Sequence, residues 1–72
     1  MTAATFPTRD QIAEMTSLDE LGTAYGAFLA ATGYNHMSAD ELRIELMAQE
    51  TADYAHINWL GDFIEAWEKA EG

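Results

Sequence analysis

Acid–base or metal chemistry in this chain would have to come from two imidazoles, His36 and His56, and from thirteen carboxylates. Neither histidine has a partner in a His-x-x-x-His or Glu-x-x-His arrangement, the spacings that put two ligands on one helical face. The absence of cysteine excludes thiolate metal sites, nucleophilic thiols and disulfides together. Carboxylate pairs are plentiful, but general acid–base work needs one member shielded enough to shift its proton affinity. A 72-residue chain has little interior in which to shield it. No Gly-rich phosphate loop and no nucleophile elbow is present. The sequence reads as a non-enzyme, with no cofactor and no metal.

What the carboxylates do offer is charge. Thirteen acids face three basic side chains, for a formal net charge of -10. Charge of one sign at this density repels itself, and it opposes direct contact with nucleic acid, which needs clustered Lys or Arg. It attracts a basic protein instead. Part of the acidity is ordinary helix grammar. Asp10, Asp19, Glu20, Asp40 and Glu41 fall in expected first turns, as does Asp53 if the fourth helix opens at Ala52, and there orphan amides and the helix dipole favour negative charge. Glu65 and Lys69 form an i,i+4 pair. The remaining acids, Glu14, Glu45, Glu50, Asp62, Glu65, Glu68 and Glu71, have only Arg9, Arg43 and Lys69 to balance them. Glu41 and Glu45 are like charges about 6 Å apart along a helix. That is close to the separation of adjacent phosphates, so such a row can imitate a nucleic-acid backbone. A merely soluble, self-repelling surface and salt adaptation are the alternatives.

The elements that would position these groups are helices. Residues 1–7 read as a flexible leader ending at Pro7, and 8–72 as one helical domain. The leader has no charged start followed by an apolar stretch, so it is not expected to be a signal peptide. No apolar run nears the roughly 20 residues of a membrane span. Lack of cysteine fits the cytoplasm. Three capping-box patterns, Thr8–Gln11, Ser17–Glu20 and Ser38–Glu41, open helices. The first is expected over Arg9 to Met15, and the second runs from Ser17 until Gly33 stops it. The third runs from Ala39 to about Glu50, and the fourth from Ala52 to Ala70. Between the last two, either Thr51 recaps the chain or the helix continues. Gly22 and Gly26, four apart, are expected to let a neighbouring helix approach closely. No segment alternates with period two. The fold class is all-α, a compact bundle of three to four short helices.

Two helices carry more apolar surface than one face requires. At ~100° per residue, Leu42 and Leu46 share a face of the third helix while Ile44 and Met47 point roughly opposite. Trp59 falls off the Leu60–Ile64–Trp67 stripe. Either these helices have neighbours on two sides, or Ile44, Met47 and Trp59 form an exposed patch for a partner or a second copy.

The segment Thr16-Ser17-Leu18-Asp19-Glu20-Leu21 resembles the Asp-Ser-Leu attachment site of acyl carrier proteins, which are also small, acidic and helical. That resemblance implies phosphopantetheine on Ser17. It departs at Thr16, where the family has an acid, and only sixteen residues precede Ser17, too few for the family's long first helix. In overall character the chain also resembles the small acidic inhibitors of phages and mobile elements, anti-CRISPR proteins among them. This second resemblance rests on no motif, and it implies blockade of a basic, nucleic-acid-binding complex.

The expected function is therefore a non-catalytic inhibitor acting by steric and electrostatic blockade. Glu41, Glu45, Asp62, Glu65 and Glu68 would steer association, with Ile44, Met47 and Trp59 as desolvated anchors. The alternative is a structural or adaptor module, or a homodimer closing over the extra apolar face. A carrier protein is the third class.

Overall fold

A computed structural model describes residues 6–35, 38–49 and 53–72. Four helices follow one another: α1 (Arg9–Glu14), α2 (Leu18–Thr32), α3 (Ala39–Ala48) and α4 (Tyr54–Glu71). The described residues contain no strand. The fold is all-α, as the periodicity predicts. α4 is the spine, and the other three helices pack against it rather than mainly against each other.

Each helix end has a local cause. Thr8 closes a full capping box on α1, its Oγ1 accepting from the Gln11 N–H at 3.2 Å while Gln11 Oε1 accepts from the Thr8 N–H at 2.9 Å. Ser17 and Ser38 occupy the N-cap positions of α2 and α3, but neither side chain makes the capping bond. Gly33 ends α2 in the left-handed region (φ 83), its N–H donating to the Leu29 carbonyl at 2.8 Å. α3 ends at Ala48 with an extended Gln49, short of the expected Glu50. α4 opens at Asp53, whose Oδ1 accepts from the Ala55 N–H at 2.8 Å. Helical geometry therefore ends at Gln49 and starts again at Asp53, and an aspartate does the capping. Thr51, the cap in one of the two alternatives, lies outside the described residues, as do Glu50 and His36.

The core takes Ile12 from α1, Leu21, Ala24 and Phe28 from α2, Leu42 and Leu46 from α3, and Trp59, Leu60, Phe63 and Ala66 from α4. No polar or charged residue among the described ones is buried with them. At its centre four rings stack in sequence. Phe28 lies on Trp59 (centroids 4.2 Å apart), Trp59 on Phe63 (5.6 Å), and Phe63 on Tyr25 (5.1 Å). Pairs of this kind contribute about 0.5–1.5 kcal/mol each beyond the area they bury.

Two expectations are corrected here. Phe6 and Pro7 belong to the domain rather than to a loose leader. Phe6 packs edge-on against both Phe28 and Trp59, and the Trp59 indole N–H donates to the Pro7 carbonyl at 2.7 Å. Gly22 and Gly26 do not mark a close helix contact either, because a Cβ at either position would meet nothing within 4 Å.

Candidate interaction surface

The residues expected to bind a partner fall into three groups. Trp59 is removed from the surface altogether, with 2% of its area exposed. The buried side of α4 runs through Trp59, Phe63 and Ala66 as well as Leu60, so it is centred between the expected stripe and Trp59. Phe6 and Pro7 close over the edge of the indole that would otherwise face solvent. As a desolvated anchor for a partner, Trp59 is excluded by that packing.

Ile44 and Met47 are in the open, at 67% and 61% exposure. α3 sends only Leu42 and Leu46 into the core, and no helix among the described residues covers its other side. The neighbours of the two apolar side chains on that outward side are Asp40, Glu41 and Ala48, with Arg43 on the Met47 flank and Glu45 on the Ile44 flank, all exposed. The result is a small apolar face edged by carboxylates on one flank and by Arg43 on the other. At the opening of α4, Tyr54 is 78% exposed.

The α4 acids stand differently. Asp62 pairs with Arg9 of α1, and Glu65 with Lys69 at 3.4 Å. The Arg43 guanidinium lies across α4 at Gly61, about where a side chain there would touch it, 3.6 Å from the ideal Cβ position. Asp62, Glu65 and Glu68 thus share one shallow polar depression with Arg9, Arg43 and Asp40. Glu41 and Glu45 do not line it. The five acids expected to act together are divided into an α3 pair and an α4 group interleaved with cations. Asp62 raises the Arg9 pKa, through its hydrogen bond first and its charge second.

Two tyrosines have perturbed acidity. Burial raises the Tyr25 pKa, and the Glu41 carboxylate adds to it. Burial likewise raises that of Tyr34, with Asp53 adding. Tyr34 shares a hydrogen bond with His56 Nδ1 at 2.9 Å, on the half-buried edge of the aromatic core. His56 Nε2 is 3.9 Å from Asp53, and among the described residues no cluster of His, Cys, Asp and Glu could hold a metal ion. Ser17 is half-buried at the start of α2. No helix among the described residues is long and apolar enough to cross a membrane.

Sequence reasoning found the α3 face from a single signal, apolar residues on two sides of one short helix. It missed a groove between α2, α3 and α4 that is walled by Tyr25, Phe63 and Trp67. Nothing in the spacing of these rings says that one edge stays open. No protein family, curated protein or solved structure matches this chain.

Proposed function

We propose that this protein is a non-catalytic, acidic binding module that docks the outward side of α3 on a basic protein and blocks its nucleic-acid-binding surface. The observation that carries the reading is the joint exposure of Ile44 and Met47 beside Asp40 and Glu41. Apolar side chains of this size supply affinity once desolvated, while the surrounding charge governs approach and excludes wrong partners. A basic surface fits that arrangement. A second copy of the chain fits it less well, because a two-fold contact through α3 would bring the carboxylates of both copies together on molecules of net charge -10. The α4 acids contribute less, being interleaved with Arg9, Arg43 and Lys69.

The test is capture on the immobilised chain at low and high salt, repeated with an Ile44→Ser/Met47→Ser variant and with Glu41→Lys/Glu45→Lys. The expected result is a nucleic-acid-binding complex held at low salt, displaced by added DNA or RNA, and lost with either variant. Capture of the same protein by both variants, unaffected by salt, refutes the reading. Recovery of the chain alone, with concentration-dependent sedimentation that the Ile44→Ser/Met47→Ser variant abolishes, replaces it with the homodimer.

A further inference from the structure

The groove that begins at α3's first turn has walls and a rim of contrasting chemistry. Its volume is about 380 Å³, within the range that takes a small organic group. Phe63 forms the floor, but both of its faces are occupied, one by Tyr25 and the other by Trp59. Tyr25 and Trp67, each half-buried, are the rings left with surface to offer. The rim carries the carboxylates of Asp40, Glu68 and Glu71, and no Lys or Arg lines the groove. The Tyr25 hydroxyl is closed off from water and has no hydrogen-bond partner among the described residues, so the ring and not the hydroxyl is what Tyr25 presents to the groove.

These features select among ligands. The three carboxylates repel an anion. A purely apolar side chain would leave them without partners. An ammonium would satisfy the charge but has no flat face to lay on a ring. A guanidinium is planar, stacks on aromatic surfaces and carries five N–H donors.

We propose that this groove seats an arginine side chain of the basic partner, stacked between Tyr25 and Trp67 and paired with the carboxylates of Asp40, Glu68 and Glu71. The inference rests on the reading given under Proposed function and adds the chemistry of the anchor. Asp40 belongs both to the groove and to the outward side of α3, so one partner surface reaches the two at once.

The probe is N-acetyl-arginine amide, with N-acetyl-citrulline amide as its neutral isostere, titrated at constant ionic strength into the ¹⁵N-labelled full chain. Saturable shifts are expected at the Trp67 indole N–H and at the amides of Tyr25 and Ala39. The citrulline probe should bind at least tenfold more weakly. Glu68→Gln/Glu71→Gln keeps the shape of the rim and removes two of its charges, and should weaken arginine binding about tenfold, the usual effect of losing a hydrogen bond to a charged group. Gly22→Gln obstructs the groove from a helical position where a side chain has free space, and should abolish the response without unfolding the chain. Equal response to both probes overturns the proposal. So do shifts spread evenly over Asp10, Glu14, Asp19 and Glu20, or an unchanged affinity in both variants. The Ile44→Ser/Met47→Ser variant separates the two readings, since it should lose the protein partner and keep the arginine response.

Discussion

Replacing Trp59 by Phe tests whether this tryptophan belongs to the interior or to the binding surface. The shorter ring can keep the stack between Phe28 and Phe63, so the architecture should survive. Two contributions disappear. The indole N–H no longer reaches the Pro7 carbonyl, a bond worth about 1 kcal/mol net. The buried part of the ring system that Phe lacks costs about 1–2 kcal/mol in lost transfer energy and residual cavity. The expected destabilisation is about 2–3 kcal/mol. A domain of this size has about 4–11 kcal/mol in all, at roughly 0.05–0.15 kcal/mol per residue. The melting temperature should fall by about 10–20 °C. Denaturant and thermal unfolding followed by far-UV circular dichroism measure this, with Trp67 fluorescence as a second probe. In the same assay Ile44→Ser/Met47→Ser should stay within about 0.5 kcal/mol per substitution of the parent. If Trp59→Phe costs less than about 0.5 kcal/mol, the packing of Phe6 and Pro7 over the indole is not what holds the leader, and the reasoning fails.

Two further predictions concern stability. Gly26→Ala should stabilise by about 0.5–1 kcal/mol, since it sits inside α2 with free space around it, whereas Gly33→Ala should destabilise by about 1 kcal/mol because its φ of 83 disfavours a Cβ; chemical denaturation of both variants reads the opposite signs. Stability should also decline as pH rises above 10.0, the ordinary tyrosine value. Tyr25 and Tyr34 hold their protons more tightly when folded, so the folded state binds more protons than the unfolded one beyond that point. The loss continues until the raised folded values are passed, and Tyr25→Phe should make a pH series of unfolding midpoints shallower.

Much of the fold was legible because helix boundaries are local events. Gly33 ends α2 through its own backbone freedom, and the apolar spacing of α2 and α4 needed no knowledge of neighbours. Local patterns failed where two solutions compete. Ser17–Glu20 and Ser38–Glu41 match the Ser/Thr-x-x-Glu pattern and do not close the side-chain bond, while Thr8–Gln11 closes both halves of it. A cap pattern names the residue that stands at a helix start, not the rotamer it takes there. The site was harder. Exposure of Ile44 and Met47 follows from α3 being a peripheral helix, and periodicity alone left two arrangements open. Trp59 was misread because its cover comes from Phe6 and Pro7, more than fifty residues away in sequence. The division of the acids follows from where Arg9 and Arg43 arrive on α4, which is likewise a tertiary fact.

The gathering of Arg9, Arg43 and Lys69 along the outward side of α4 gives the molecule an electric dipole. All three positive charges lie on that side, while no Lys or Arg lines the surface around Asp19 and Glu20 on α2. In the field of a positively charged body the chain experiences a torque as well as a pull. It turns its cation-bearing side away before contact. Diffusion therefore delivers a molecule already oriented, with the edge that carries Arg9 and Lys69 trailing.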